Sequence, residues 1–213
     1  MSVIFRDRAD AGRQLAQPLR PFRGTRDLLV LGIPRGGVVV AAEVARALGA
    51  PLDLWCSHKI GAPHNPELAI GSVAVTGDVQ IDTGLVAALG VSRAYLEAAI
   101  GRERSEIARR LACYCGARRM LQITGKLVVL VDDGIATGST TRAALQSLRT
   151  QNPAQVILAV PVAPAGIEAR LGPAADKVIV IHSPGSFHAV GEFYEKFDQT
   201  TDEEVIRLLG NVD

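Results

Sequence analysis

Residues 127–141, LVVLVDDGIATGSTT, are the stretch on which the reading of this chain turns. The first five, Leu127-Val128-Val129-Leu130-Val131, are apolar and mostly β-branched, which predicts a short strand buried on both faces. Two carboxylates, Asp132 and Asp133, stand where that strand emerges. A loop of small residues follows: Gly134, Ala136, Thr137, Gly138, Ser139, Thr140 and Thr141. Residues 142–149 then carry Ala144, Leu145 and Leu148 on one face, which predicts a helix. Strand, acid pair, small-residue loop and helix N-terminus together describe a receptor for a phosphorylated sugar. Backbone amides and hydroxyls of the loop can wrap a phosphate at the positive end of the helix. The carboxylates, one strand-end away, can accept hydrogen bonds from vicinal hydroxyls or hold a hydrated Mg2+. A plain turn between strand and helix would need neither the second acid nor the Thr-Gly-Ser-Thr run. No Gly-Lys-Ser/Thr closes the loop and no G-x-G-x-x-G is present, so neither common nucleotide-phosphate motif applies.

Upstream, residues 28–32, LLVLG, predict a second buried strand, running through Ile33-Pro34-Arg35-Gly36-Gly37 into a helix over 38–48 that Gly49 and Pro51 stop. Gly36 and Gly37 suit close approach of backbone to a ligand at that helix N-terminus. Arg35 has two open roles, a phosphate contact or a solvent-facing side chain that leaves binding to the amides. Residues 52–58, LDLWCSH, predict a third strand with Lys59 at its end. Residues 59–67, rich in Gly and Pro, predict a loop, and 68–76 with 79–82 predict a hairpin turned at Gly77-Asp78. Strands over 155–162 and 177–182 bring the core count to about five. Strands alternating with helices imply an α/β, Rossmann-like single domain over residues 1–213, with a mainly parallel sheet and helices on both faces. An N-terminal helix within 1–21, with Ala11, Leu15 and Leu19 on one face and Pro18 and Pro21 ending it, reads as packing on the sheet edge.

The chain has 213 residues, 48% hydrophobic and only 4% aromatic, so its core is aliphatic, as buried parallel sheets tend to be. A formal net charge of +1, with both signs mixed throughout, argues against a nucleic-acid or membrane-surface partner. Cys56, Cys113 and Cys115 are too few for a disulfide framework. Cys113 and Cys115, two apart on a helix predicted over 92–120, point to different faces and lack a metal site's further ligands. That helix turns basic at its end, including Arg118 and Arg119, as a solvated face would. The charged start, MSVIFRDRADAGRQ, lacks a signal peptide's apolar core, and no apolar run approaches membrane-spanning length, so a cytoplasmic location is expected.

Val128 to Val131, Asp132, Asp133, three variable residues, Thr137-Gly138, Ser139 and Thr140 resemble the phosphoribosyl-pyrophosphate (PRPP) signature of the type I phosphoribosyltransferases. The resemblance extends in order through a pyrophosphate loop at 34–37, a flexible loop after Lys59 and a hood over 183–213. It implies Mg2+-dependent transfer of 5-phosphoribose from PRPP to a nitrogenous base, with release of pyrophosphate, by a homodimer. Asp132, Asp133 and Lys59 would be the catalytic groups, and Ala136, Thr137, Gly138, Ser139 and Thr140 would hold the 5-phosphate. Arg35, Gly36, Gly37 and Lys59 would bind the pyrophosphate, and Asp132 and Asp133 would hold Mg2+ through water or ribose hydroxyls. Phe187, Phe193 and Tyr194 in the hood would either stack on the acceptor or dock the C-terminal flap on the core. K-x-G-A-P-x-N-P-E-x-A-I-G from Lys59, with Phe5-Arg6-Asp7-Arg8 and Ala11-Gly12, resembles a narrower bacterial group of undefined acceptor, in which Arg often precedes the lysine. Here His58 stands in that place, and His64 follows the first proline, where relatives often carry Gly. The same site would also serve a regulatory protein that senses PRPP or a nucleotide without turnover, or an enzyme that cleaves nucleotides or PRPP with phosphate or water.

Overall fold

The computed structural model describes residues 3–116 and 120–210. In chain order the elements are α1 (Arg8–Leu19), β1 (Leu28–Gly32), α2 (Gly36–Leu48), β2 (Leu52–Leu54), β3 (Ser57–Ala62), β4 (Asn65–Ala74), β5 (Val79–Ile81), α3 (Thr83–Ala88) and α4 (Arg93–Cys115). They continue with β6 (Leu127–Val131), α5 (Ser139–Arg149), β7 (Gln155–Val162), α6 (Ile167–Leu171), β8 (Lys177–His182) and α7 (Asp202–Gly210).

The five expected core strands form one sheet in the order β2-β1-β6-β7-β8, and every neighbouring pair is parallel. Apolar runs explain its interior: every residue of β1 is buried, as are Val128 through Val131 of β6. The order decides where a ligand can sit. From β1 the chain crosses through α2 to β2 on one side; from β6 it crosses through α5 to β7 on the other. Right-handed crossovers in opposite directions place α2 and α5 on opposite faces. The crevice at the carboxyl ends of β1 and β6, where the winding reverses, is the position at which such sheets bind ligands. The acid pair and the Arg-Gly-Gly loop both lie there.

The segment expected as one strand over 52–58 is two. The chain leaves the parallel sheet at Trp55, whose amide donates to Gly32 O at 2.9 Å, and enters a separate antiparallel sheet in the order β3-β4-β5. The Trp55 indole is fully buried and donates to Ala144 O and Ser147 Oγ, both at 3.0 Å, which fixes this switch against α5. The predicted loop at 59–67 is mostly strand, and Lys59 pairs with Ser72 in mid-ladder. Its Gly and Pro residues mark an irregularity instead of an interruption. The pairing shifts register on either side of Gly61, and a Cβ there would come within 2.7 Å of Pro66 O.

Helix α1 starts at Asp7, whose carboxylate accepts from Asp10 N at 2.7 Å, and it runs through Pro18 instead of ending there. It lies against α2, close enough that a Cβ on Gly12 would sit 2.6 Å from Val40 O. Ser92 caps α4 by accepting from Tyr95 N at 3.2 Å, and Thr201 caps α7 by accepting from Glu204 N at 3.2 Å, both as their spacing predicts. Arg118 and Arg119 lie outside the described residues. The short helix α3, capped by Asp82, was not anticipated.

Candidate functional site

Two helices start at the crevice, and each begins with the residues its chemistry requires. After β6, Gly138 adopts φ +81°, a left-handed conformation that only glycine takes easily, and serves as the N-cap of α5. Ala136, Thr137 and Thr140 are exposed around that turn, and the Thr137 and Ser139 hydroxyls lie 3.2 Å apart. First-turn amides of a helix have no partner within it, so this turn offers donors and hydroxyls to an anion. Sequence reasoning put Ala136 through Thr140 here, and the structure gathers them at one helix terminus.

After β1, the Pro34–Arg35 peptide is cis and α2 begins at Gly36. The glycine pair has a specific steric role. A Cβ on Gly36 would run into Asp133 Oδ2 and lie 2.6 Å from Arg8 Nε; one on Gly37 would lie 2.9 Å from Asp132 Cα. Any side chain at either position would push the acid pair away from the first turn of α2. The two loops are thus brought together, with both carboxylates at the positive end of that helix.

Asp133 is held from three directions. Arg8 Nε donates to its Oδ2 at 2.7 Å, Tyr194 Oη donates to its carbonyl at 2.6 Å, and its own amide donates to Asp132 Oδ1 at 2.9 Å. Arg8 also donates to Asp198 O at 2.6 Å and lies 3.9 Å from the centroid of the Phe197 ring. Asp132 sits well above the usual carboxylate range, first because burial penalises its charge and then because Asp133 is beside it. The Arg8 charge pulls it partly back. Arg8 was missed in the sequence because α1 reads as a packing helix. Its signal was present in the Phe5-Arg6-Asp7-Arg8 run, without anything to say where that arginine would reach.

The remaining expectations divide. Lys59 lines a cavity of about 350 Å³ together with Pro34 and Thr140, one from each of the two helix-start segments. Arg35 does not line that cavity; its Nη1 lies 3.8 Å from Asp202 Oδ1 at the start of α7. Phe193 and Tyr194 are 2% and 5% exposed and pack around Phe5, and Phe187 stacks on Phe193 with centroids 5.4 Å apart. Phe193 and Tyr194 thus pack the C-terminal segment onto the N-terminal one. Burial raises the Tyr194 phenol far above its ordinary range, with the Asp133 charge adding to it, so it stays a neutral donor.

The donor set for a cation is the two carboxylates, one of them already paired with Arg8. No cluster of three or more His, Cys, Asp or Glu disposed to hold a metal exists among the described residues. Hard oxygen donors that leave most positions open fit Mg2+, which keeps waters or takes phosphate oxygens from its ligand.

A doubly wound parallel sheet thus carries a glycine-capped helix turn and a carboxylate pair at its switch point. The chain belongs to the phosphoribosyl transferase domain family, whose model matches residues 6–196. It is 43% identical over 206 residues to a Mycobacterium tuberculosis protein named provisionally as a phosphoribosyl transferase, covering 97% of this chain and 46% of that protein. The chain therefore spans about half the length of the curated relatives it matches. The crystal structure of TT1426 from Thermus thermophilus superposes with a TM-score of 0.88 at 42% identity, covering 97% of both chains. A purine phosphoribosyltransferase from Pyrococcus horikoshii aligns at a TM-score of 0.45 and 17% identity over 81% of each chain, too distant to inform the substrate. No described helix is long and apolar enough to cross a membrane.

Proposed function

We propose that this domain is a Mg2+-dependent phosphoribosyltransferase that moves 5-phosphoribose from PRPP to a nitrogen of a base and releases pyrophosphate. The observation that carries the reading is the wedging of Asp132 and Asp133 against Gly36 and Gly37 at the sheet's switch point, on the segment that leads into the Gly138-capped start of α5. That arrangement suits a ligand with a phosphate at one end, vicinal hydroxyls in the middle and a diphosphate at the other.

In the reaction the C1–O bond breaks and its electron pair leaves with the pyrophosphate, while a lone pair on the base nitrogen forms the new C1–N bond. Positive charge grows on the ribose and negative charge on the leaving group. Asp132 and Asp133 accept from the ribose hydroxyls and offset the cation. The 136–140 turn grips the 5-phosphate, which does not react, so its binding energy serves to position C1. Lys59 and the amides at Gly36 and Gly37 receive the departing charge. Mg2+, held by ligand oxygens, water and the carboxylates, would neutralise the pyrophosphate further.

The test is calorimetric titration of PRPP with and without Mg2+, followed by a screen of bases for pyrophosphate release. Micromolar binding that needs Mg2+, with release for one base, is the expected result. Binding without release for any base would replace the transferase with a sensing or nucleotide-cleaving role. No binding of PRPP would overturn the proposal.

A further inference from the structure

The cavity shared by Lys59, Pro34 and Thr140 extends to α4, and its far wall was not expected to carry chemistry. Arg110 and Glu103 of α4 line it, with Ser57 and His58 of β3. Ser57 is 6% exposed, and its hydroxyl has no hydrogen-bond partner among the described residues. A buried hydroxyl left unpaired is costly, so a polar atom that enters the cavity gains an available donor. His58 Nδ1 lies 2.9 Å from Glu103 Oε2, a contact that fixes the ring. Arg110 is anchored by its Nε on Glu106 Oε1 at 2.9 Å, and its charge lies beside the Cys56 thiol. Arg35, the cation expected for this end of the site, is turned toward Asp202.

Size and lining narrow the occupant. Among the described residues no Phe, Tyr or Trp lines the space, so none of them would stack on a base there. Arg110 and Lys59, an unpaired hydroxyl, and a histidine paired with the lining carboxylate of Glu103 suit the several charged oxygens of a phosphate chain. We propose that this cavity receives the diphosphate end of the ligand, and that Arg110 and Ser57, not Arg35, supply its side-chain contacts alongside Lys59. His58, clamped by Glu103, completes the wall. The ligand's identity rests on the function proposed above; the placement of its donors rests on the cavity.

The experiment uses two probes that separate those two statements. Ribose 5-phosphate and inorganic pyrophosphate, each with Mg2+, are titrated by calorimetry into the wild-type chain and into Arg110→Gln, Ser57→Ala and Arg35→Gln. Arg110→Gln is expected to weaken pyrophosphate on the order of ten- to hundredfold and Ser57→Ala by about tenfold or less. Ribose 5-phosphate affinity should stay unchanged in both, and Arg35→Gln should leave both ligands unchanged. Intact ribose 5-phosphate binding also reports that a variant is folded; if Arg110→Gln fails that control, Ser57→Ala, which removes one oxygen, decides. Pyrophosphate affinity unchanged in the folded Arg110 and Ser57 variants, or lost in Arg35→Gln, overturns the cavity assignment while the phosphate turn stands. Failure of the wild-type chain to bind either ligand overturns both.

Discussion

Arg8 and Asp133 are 125 positions apart in the chain and are joined by a 2.7 Å ion pair that is nearly closed to solvent on both sides, at 13% and 17% side-chain exposure. The same guanidinium holds Asp198 O and lies over Phe197, and residues 4–6 exchange backbone hydrogen bonds with residues 193–196. The N-terminal segment and the C-terminal segment therefore meet on the second residue of the acid pair. Arg8 takes one oxygen of that carboxylate and so fixes the side chain at the crevice.

Replacing Arg8 with alanine is expected to cost about 2 kcal/mol of stability, the scale of a hydrogen bond to a charged group. It should also weaken PRPP binding, because Asp133 loses its orientation. Arg8→Lys should recover little of either, since an ammonium cannot serve Asp133, Asp198 O and the Phe197 ring from one planar group. Chemical denaturation and PRPP titration of both variants check this; full recovery by lysine would mean that charge alone is what Asp133 needs.

Gly36→Ala tests the contact between the two loops. Its Cβ would collide with the Asp133 carboxylate and crowd Arg8, so the acid pair must shift off the first turn of α2. The expected outcome is a folded protein whose Mg2+-dependent PRPP affinity falls by at least about tenfold, since that clamp depends on carboxylate position. A variant that binds PRPP as tightly as the original would show that the carboxylates tolerate displacement.

The sheet was legible because its strands are short apolar runs punctuated by Gly and Pro, and a parallel sheet buried on both faces leaves that pattern in every strand. The 127–141 stretch was legible for a further reason: strand, acids, turn and helix are consecutive, so spacing alone specifies their geometry. What spacing could not reach was anything assembled across the chain. Arg8, Ser57, His58 and Arg110 come to the crevice from α1, β3 and α4, and no local pattern tells an arginine on a solvated face from one that lines a cavity. Residues 59–67 read as a loop because Gly61 and Pro66 are loop residues by propensity, while the irregular β3–β4 pairing gives them a place within a ladder. The aromatics after β8 were found but not their orientation, which depends on Phe5 at the other end of the chain.

Asp132 gives a pH-linked expectation. Its folded carboxyl is held well above the ordinary range by burial and then by Asp133. For an acid, a raised folded value means that the fold favours the protonated form and loses that advantage as pH rises through it. A ligand that brings Mg2+ and ribose hydroxyls to the carboxylate favours the ionised form instead, so binding should expel protons and strengthen as pH rises until Asp132 is ionised. Titration of PRPP with Mg2+ in buffers of different ionisation enthalpy reads the proton count directly. Asp132→Asn should abolish the release, and a heat independent of buffer in the unaltered protein would remove Asp132 from the clamp.

Asp133→Asn should weaken Mg2+-dependent PRPP binding and turnover together, because it takes charge from the ribose clamp and leaves Arg8 without its counter-ion. Calorimetry and pyrophosphate release measure the two effects on one preparation. Unchanged affinity and rate would remove Asp133 from the assignment and leave it as a structural anchor for Arg8.

Tyr194→Phe separates docking from acceptor recognition in the C-terminal segment. The ring is buried between Phe5 and Phe197, with centroids 5.3 Å and 4.9 Å away, and the hydroxyl reaches Asp133 O at 2.6 Å. Phenylalanine keeps the ring contacts and deletes only that bond, at a cost of about 1 kcal/mol in unfolding free energy. Because the bond ends on the backbone of the acid motif, PRPP affinity should fall a few-fold, an effect of that same size or smaller. The choice among bases should not move, since no face of this ring is open to a ligand. Denaturation, PRPP titration and a base screen on the variant measure the three effects separately. A changed base preference with unchanged PRPP affinity would return Tyr194 to the acceptor site and require the segment around it to open during the reaction.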